Sequence, residues 1–165
     1  MSVVGVDIGG SKAFAVRLDG GAIGRDHHTA IDRDLDTVEA IAGAIDAVAD
    51  RNVTALGVGI AGLVSVAERT LVWGPHVRGT DLPIGAALED RYGVPVVVDN
   101  DANAALVAEL DRGVAVGYRN VILVTLGTGI GGAIAIDGGL YRGGSFAGEW
   151  GHIRVERDGR LCDCG

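Results

Sequence analysis

The stretch of sequence that decides the fold runs from Val3 to Gly20 and reads VVGVDIGGSKAFAVRLDG. A second stretch, from Val121 to Gly138, begins 118 positions further along (121 minus 3) and reads VILVTLGTGIGGAIAIDG. Each stretch has the pattern of an apolar strand, a glycine-rich turn, a second apolar strand and an Asp-Gly turn. The sequence therefore predicts two copies of one β-hairpin.

The glycine-rich turns are the candidate binding elements of the two hairpins. A turn of small residues leaves backbone N–H groups uncovered, and such groups can form a concave site for an anion. Two such turns in related half-domains would face one nucleotide from both sides. A plain hairpin turn uses a Gly-Gly pair equally well, so the duplication, more than either turn alone, indicates phosphate binding.

The composition indicates a folded, acidic protein that is not expected to bind nucleic acid. The 165 residues suffice for one ordinary domain or two small ones. A hydrophobic share of 48% against 22% charged residues predicts a buried core. The formal net charge is −8 and Lys12 is the single lysine, whereas binding to a phosphate backbone needs clustered Lys and Arg. A phosphate site in this chain would therefore depend on backbone N–H groups and a metal ion.

The chain shows no sign of a membrane span, and we expect no membrane partner. Its longest nearly apolar stretches, Val53–Val66 and Val121–Ile136, are interrupted by Gly and Thr and are too short to cross a bilayer. The N-terminus lacks a basic start and a cleavage site. These features predict a cytoplasmic location.

The predicted elements give a mixed sheet with helices on its faces. Three strands in a meander are followed by alternating helices and strands, which is the pattern of an α/β domain. Asp36 begins the first helix, with Glu39 three residues further on as a capping box. The predicted strands are Ser2–Ile8, Ala13–Leu18, Ala22–Ala30, Thr54–Ile60 and Val94–Val98, and the later helices run from Pro83 to Tyr92 and from Asp101 to Ala115.

We expect two domains, 1–117 and 118–165, of which the second is truncated. The second hairpin would open a domain like the first, yet only 47 residues follow Tyr118 (165 minus 118). The expectation is a complete first domain and the beginning of a second.

Four segments occur in order along the chain, and together they resemble the ROK family (repressors, open reading frames and sugar kinases). The segments are Asp7–Lys12 (DIGGSK), Asn100–Asn103 (NDAN), Leu126–Gly132 (LGTGIGG) and Gly148–His152 (GEWGH). The resemblance covers nearly the whole chain. It implies an α/β, ribonuclease H-like (actin-like ATPase) domain with a mixed sheet, plus the start of a second similar domain. It also implies ATP-dependent phosphorylation of a hexose, with ATP and Mg²⁺ as cofactors.

The resemblance assigns phosphate binding to both glycine-rich turns. Asp7 would hold Mg²⁺ through water, and the N–H groups that follow it would meet the phosphates. The hydroxyl of Thr128 and nearby N–H groups would face the β- and γ-phosphates. The implied nucleotide-binding residues are Asp7, Gly9, Gly10, Ser11 and Lys12 in the first turn and Gly127, Thr128 and Gly129 in the second.

Asp101 is the implied catalytic residue. A sugar hydroxyl is a poor nucleophile, and a carboxylate within hydrogen-bond reach orients it and accepts its proton. Asp101 follows an apolar strand at the start of a helix, and ligands of α/β sheets bind at such strand ends. Because Asn and Asp are favoured helix N-caps, capping by Asp99, Asn100 or Asp101 is the structural alternative.

Sugar binding is implied for Asn100, Asp101, Glu149 and His152. Carboxylates and amides suit a polyol because each can engage adjacent hydroxyls. For Glu149 the alternative is an exposed charge, although its flanking glycines favour a shaped loop. His76 occupies the place where many sugar kinases carry an Asn that touches the sugar, and a lone histidine also suits an ordinary structural role.

His152, Cys162 and Cys164 resemble the start of the family's zinc motif. A disulfide across the one residue between the two cysteines is badly strained, so their spacing fits a metal half-site better. One His and three Cys close a tetrahedral structural site, but the chain reaches Gly165 before a third Cys. Zinc binding therefore stays open, with three candidate ligands.

Two alternatives to a kinase remain. One is a sugar-binding ROK regulator; the family's repressors carry a helix-turn-helix ahead of the Asp7 segment, whereas six residues precede Asp7 here and no basic helix is visible. The other is a non-catalytic remnant, since the adenosine-binding segment of a full chain would lie beyond residue 165. We expect a hexose and ATP as partners, homo-oligomers by resemblance, and little or no kinase turnover by these residues alone.

Overall fold

The structure is a computed structural model that describes residues 1–31, 36–75, 77 and 79–162. The chain forms two compact units, Met1–Asp101 and Ala102–Gly165, and each unit has a hydrophobic cluster of its own. The division between these units falls at residue 101. The predicted boundary between residues 117 and 118 stays a prediction, because it concerns the domains of the whole protein.

Three helices and ten strands account for the regular structure of the described residues. In chain order they are β1 (Ser2–Ile8), β2 (Lys12–Asp19), β3 (Ala22–Ala30), α1 (Thr37–Val48), β4 (Val53–Ile60), β5 (Leu63–Ser65), β6 (Thr70–Trp73), α2 (Ile84–Tyr92), β7 (Val96–Asn100), α3 (Asp101–Arg112), β8 (Val121–Leu126), β9 (Ile130–Ile136) and β10 (Gly139–Tyr141). A single turn of 3₁₀-helix, Trp150–His152, follows.

The sheet of the first unit has five strands in the order β3-β2-β1-β4-β7. β2 pairs antiparallel with both β1 and β3, whereas β4 pairs parallel with both β1 and β7. An antiparallel meander continued by parallel strands is the mixed sheet that the sequence predicts. The connections from β3 to β4 and from β4 to β7 contain α1 and α2, as parallel crossovers require.

The core of the first unit lies between β1 and α1. Val4, Val6 and Ile8 of β1 are buried, and they share one cluster with Ile41 and Ile45 of α1. Successive side chains of a strand point to opposite faces of the sheet. Burial of the even-numbered residues of β1 therefore places the side chain of Asp7 outside this cluster, where it is solvent-exposed.

One half of the predicted capping box is present. The carboxylate of Asp36 accepts hydrogen bonds from the backbone N–H groups of Val38 at 2.8 Å and Glu39 at 3.4 Å, so Asp36 caps α1 as predicted. The carboxylate of Glu39 accepts hydrogen bonds from the guanidinium of Arg91 in α2 at 2.9 and 3.0 Å. Glu39 therefore links α1 to α2. The prediction that Glu39 completes the capping box with Asp36 is wrong.

The second unit consists of α3 and an antiparallel sheet in the order β10-β9-β8. Ala102 and Leu106 of α3 are buried in one cluster with Ala133 and Ala135 of β9. The predicted duplication is visible as two meanders of three strands, β1-β2-β3 and β8-β9-β10.

The two hairpins differ by one residue in their turns. Ile8 pairs with Ala13, so that residues 9 to 12 form the first turn. Leu126 pairs with Ile130, so that residues 127 to 129 form the second. The second strand of the second hairpin is therefore shifted by one residue relative to the constant sequence offset.

Some element boundaries differ from the prediction. β7 is displaced towards its carboxyl end and reaches Asn100, and α3 ends at Arg112, before the predicted Ala115. The carbonyl of Glu109 accepts hydrogen bonds from the N–H groups of both Gly113 and Ala115, which closes the last turn of α3. Among the helices of the described residues, none has the length and apolar character needed to cross a membrane.

The packing of α1 predicts a large loss of stability for Ile45→Ala. Ile45 has no exposed surface, and truncation of a fully buried Ile removes apolar contacts and leaves a cavity, at about 2–5 kcal/mol. The matched control is Ile23→Ala on the edge strand β3, where the side chain is 73% exposed and a change of less than about 0.5 kcal/mol is expected. Urea unfolding measures both; similar values would contradict this core.

Candidate functional site

The carboxyl ends of three parallel strands meet at one edge of the first sheet. Ile8 of β1 lies opposite Ile60 of β4, and Ile60 lies opposite Asn100 of β7. The turn after β1, the turn at Gly62 and the start of α3 at Asp101 therefore leave the sheet at the same level. Ligands of open α/β sheets bind outside the carboxyl ends of such strands, so this edge is the candidate site of the first unit.

The first predicted phosphate loop forms a closed turn at this edge. The N–H of Gly9 donates to the carbonyl of Lys12 at 3.0 Å, and the carbonyl of Ser11 accepts from the N–H of Ile31 at 3.0 Å. A Cβ built on Gly9 would lie 3.5 Å from the nearest atom, which is ordinary contact. The fold does not require glycine at position 9, and its bare backbone leaves room for a ligand to approach.

The carboxylate of Asp7 is electrostatically perturbed. Desolvation by the surrounding strand ends, and next the negative charge of Asp101, raise the pKa of Asp7 above its ordinary value. The residue as a whole keeps solvent access, so the desolvation concerns the carboxyl group at the base of the turn. Asp7 and Asp101 therefore lie close enough for like charges to interact unfavourably.

Asn100 is held in place by two neighbours. Its backbone N–H donates to the carboxylate of the buried Asp99 at 2.8 Å, and its side-chain Nδ2 donates to the carbonyl of Gly62 at 3.1 Å. Gly62 has a φ of 145°, and a Cβ there would lie 2.5 Å from the carbonyl of Trp73. The Gly62 turn and Asp99 thus orient the residue that precedes Asp101, a supporting role that the sequence analysis did not identify.

The second predicted phosphate loop belongs to the second unit. The N–H of Gly127 donates to the carbonyl of Gly129 at 3.0 Å, which closes the three-residue turn around Thr128. All three residues are exposed. A Cβ on Gly127 or Gly129 would meet nothing within 4 Å, so here too the fold leaves the backbone of the turn uncovered without a packing reason.

Glu149, His152 and Cys162 lie together in the second unit. The Nε2 atom of His152 is 3.7 Å from a carboxylate oxygen of Glu149, and its Nδ1 atom is 3.8 Å from the Sγ of Cys162. The two ring nitrogens of His152 therefore face different partners. Within the second unit, the structure thus brings together two of the four residues predicted to hold the sugar, Glu149 and His152, and two of the three predicted zinc ligands, His152 and Cys162.

Two of the three predicted zinc ligands, His152 and Cys162, lie among the described residues. Two ligands on a tetrahedral zinc ion lie about 3.6 Å apart, given Zn–N and Zn–S bonds of about 2.1 and 2.3 Å. The separation of 3.8 Å between His152 and Cys162 is compatible with that arrangement. Cys164 lies outside the described residues, as does His76, and among the described residues no three His, Cys, Asp or Glu side chains are placed so that they could hold one metal ion. Zinc binding stays a prediction.

A loop of residues 148–151 packs directly on strand β9. A Cβ on Gly148 would lie 2.6 Å from the carbonyl of Gly132, a Cβ on Gly132 would overlap the indole of Trp150, and one on Gly151 would overlap the carbonyl of Ile130. The Nε1 atom of Trp150 is buried and has no hydrogen-bond partner among the described residues. Close packing against the backbone, more than hydrogen bonding, therefore holds the indole ring of Trp150. In the sequence, the only sign of this contact is the recurrence of glycine in β9 and in residues 148–151.

Comparisons with known proteins show the family of this chain. A family model described as ROK family matches residues 3–165, and the chain belongs to the ROK family. The ribonuclease H-like, actin-like fold class expected from the sequence is likewise confirmed by the structural comparison below.

Relatives in this family have more than one function. A glucokinase from Streptomyces coelicolor is 43% identical over 98% of this chain and 52% of its own length. A xylose repressor from Bacillus subtilis is 35% identical over 67% of this chain and 29% of its own length. The crystal structure of a ROK glucokinase from Streptomyces griseus, in complex with glucose and AMPPNP, has a TM-score of 0.90 and 41% identity, and the match covers 100% of this chain and 54% of that one. The chain thus spans about half the length of the glucokinases that it matches.

The proximity of the two carboxylates predicts that Asp101→Asn lowers the pKa of Asp7. The pKa should stay above its ordinary value of 3.8, because desolvation is the first cause of the shift and the Coulomb effect of Asp101 the second. The matched control is Asp26→Asn on β3, whose charge is not among those causes. Carboxyl ¹³C NMR titration measures the pKa in each variant, and an unchanged value in Asp101→Asn would contradict the proximity.

The same shift has a consequence for stability. Since the folded state holds the Asp7 proton more tightly than the unfolded chain, the stability contributed by this group is lost as the pH rises from about 3.8 through the higher folded-state pKa. Asp101→Asn should reduce that loss.

Proposed function

We propose that the whole protein to which these residues belong is an ATP-dependent hexose kinase, which transfers the γ-phosphate of ATP to a sugar hydroxyl. The observation that carries the proposal is that Asp7 and Asp101 both lie at the ends of neighbouring parallel strands on one edge of the sheet, where the charge of Asp101 contributes to the raised pKa of Asp7. The similarity to glucokinases along nearly the whole chain supports it.

Asp101 is the proposed general base. It lies half-buried in the first turn of α3, directly after the strand β7, and Asn100 beside it is oriented by the Gly62 carbonyl. A carboxylate in this position can accept the proton of a sugar hydroxyl as that oxygen attacks phosphorus. Such a base contributes about 10²–10⁴ to the rate. Asn100 is proposed to contact a neighbouring hydroxyl.

Asp7 is the proposed residue for Mg²⁺. Carboxylate oxygens are the hard ligands that Mg²⁺ prefers. The raised pKa of Asp7 reports a carboxylate that is short of compensating charge. A divalent cation would supply that charge and offset the repulsion from Asp101, and when bound it also neutralises charge on the phosphates.

The exposed turns supply the remaining proposed contacts to ATP. The single lysine and the net charge of −8 leave little positive charge for phosphate binding, so the backbone N–H groups of Gly9 to Ser11 and of Gly127 to Gly129 are proposed to bind the phosphates. Glu149 and His152 are proposed to hold hydroxyls of the sugar.

A sugar-binding regulator is the second candidate function, because the family also contains the xylose repressor described above. A regulator needs the sugar but no phosphoryl transfer. A coupled kinase assay of the whole protein with ATP, Mg²⁺ and each of glucose, N-acetylglucosamine, mannose and fructose therefore distinguishes the two. Binding of a sugar without turnover would favour the regulator.

Asp101→Asn should remove most of the turnover of the whole protein, by about 10²-fold or more, because the amide cannot accept a proton. Sugar affinity, measured by calorimetry, should stay close to that of the wild type, since the amide keeps the shape of the side chain. Asp111→Asn at the exposed end of α3 is the matched control and should leave turnover unchanged. A near-normal kcat in Asp101→Asn would refute the assignment of the base.

A further inference from the structure

We propose that Trp150 is a positioning residue, which fixes the sugar-binding loop by seating its indole on the bare backbone of Gly132. This inference rests on the proposed function, because it takes Glu149 and His152 as contacts to the sugar. Trp150 lies between these two residues in the chain. Its role in the proposal is to act through them and not on the substrate itself.

The seat is built from glycines at three points of contact. A side chain at Gly132 would overlap the indole Cδ1 and Nε1 atoms of Trp150. Side chains at Gly148 and Gly151, on either side of the Glu149-Trp150 pair, would collide with the backbone carbonyls of Gly132 and Ile130. These positions contrast with Gly127 and Gly129, where a Cβ would meet nothing within 4 Å. Glycine in the turn leaves room for a ligand, whereas glycine in the seat is required by the packing of the loop.

The strand is the fixed partner in this contact, and the loop is the one that would yield. Gly132 is paired with Val124 in the β8–β9 ladder, within a run of six paired positions. The backbone hydrogen bonds given for the loop join its own residues: the N–H of Trp150 donates to the carbonyl of Gly148 at 2.7 Å, that of His152 to Glu149 at 3.1 Å, and that of Ile153 to Trp150 at 3.3 Å. A methyl group added at Gly132 should therefore move the loop and leave the hairpin in place.

The indole acts through its shape and not through its N–H group. Its buried Nε1 atom has no hydrogen-bond partner among the described residues, so a phenyl ring should serve the same purpose. Trp150→Phe is accordingly the conservative variant that should preserve function, and Trp150→Ala is the variant that removes the ring from the seat.

The test is a double-mutant cycle in the whole protein. Gly132→Ala should raise the KM for the sugar about tenfold or more, since a displacement of about 1 Å in a positioning loop is costly. The KM for ATP and the kcat at saturating sugar should change little. Trp150→Ala should also raise the sugar KM, but Gly132→Ala should have a clearly smaller effect in that background, because the ring that the methyl group would strike is gone and only the contact with the Gly148 carbonyl at 2.7 Å is left. Gly139→Ala on β10, where a Cβ would make only an ordinary contact at 3.8 Å, is the matched control.

Three results would overturn the proposal. The first is an unchanged sugar KM in Gly132→Ala, and the second is an equal effect of Gly132→Ala on the sugar KM with and without Trp150. The third is a lower kcat of Gly132→Ala with unaltered KM values, which is what a general loss of folded protein would give. A raised sugar KM in Trp150→Phe equal to that in Trp150→Ala would show that the N–H group matters, and it would also contradict the proposed role.

A readout without sugar separates this proposal from the proposed function. Gly132→Ala should accelerate hydrogen exchange of the amides of His152 and Ile153, and the acceleration should be clearly larger when Trp150 is present than in the Trp150→Ala background. If that pattern is found but the wild type binds no hexose, the proposed function fails while the seat is established. If the wild type phosphorylates a hexose but the exchange pattern is missing, the seat fails and the proposed function stands.

Discussion

The parallel register of β1, β4 and β7 is the constraint on which the candidate site depends. Because the side-chain period of a strand is two residues, a slip by one residue would turn Ile8 out of the core and Asp7 into it. The burial of Val4, Val6 and Ile8 beneath α1 makes such a slip costly. The same packing that stabilises the first unit thus keeps a carboxylate at the end of its central strand. The alignment of Ile8, Ile60 and Asn100 then brings the start of α3 to the same level.

The electrostatics of this edge differ from those of the ion-paired carboxylates elsewhere in the first unit. Elsewhere in the first unit, arginines pair with several carboxylates: Arg91 binds Glu39 and Asp46, and Arg69 binds Glu89. For Glu89, the hydrogen bond from Arg69 is the first cause of a lowered pKa. For Asp7 the causes have the opposite sign, since desolvation and a second carboxylate both raise its pKa. A carboxylate whose pKa is raised by burial and by a second carboxylate is consistent with a site that binds a cation.

Much of this arrangement was predictable from local patterns, and the remainder depends on contacts between distant segments. The apolar strand β1, the Asp36 cap and the duplicated hairpins are encoded in adjacent residues and could be predicted from the sequence. The fate of Glu39 was not predictable, because its partner Arg91 is 52 positions away. The shorter second turn was also missed: a constant offset in sequence carries no information about which residues pair across a turn. Trp150 on Gly132 is a contact of the same long-range kind.

The two copies of the hairpin differ in the length of the third strand that pairs with them. In the first, β2 is paired along its length with the nine-residue strand β3, and the ring of Phe14 stacks on His28 of that strand at 4.2 Å. In the second, the three-residue strand β10 pairs only with residues 134–136 of β9. The first part of β9 is therefore left without a neighbour on that side, and Gly132 lies in this part. By pairing register the counterpart of Gly132 in the first copy is Ala15, and a side chain at Gly132 would exclude the loop that follows Gly148. The short third strand and the glycines of β9 are thus one adaptation, which opens a strand surface to a loop that the first hairpin has no means to accept.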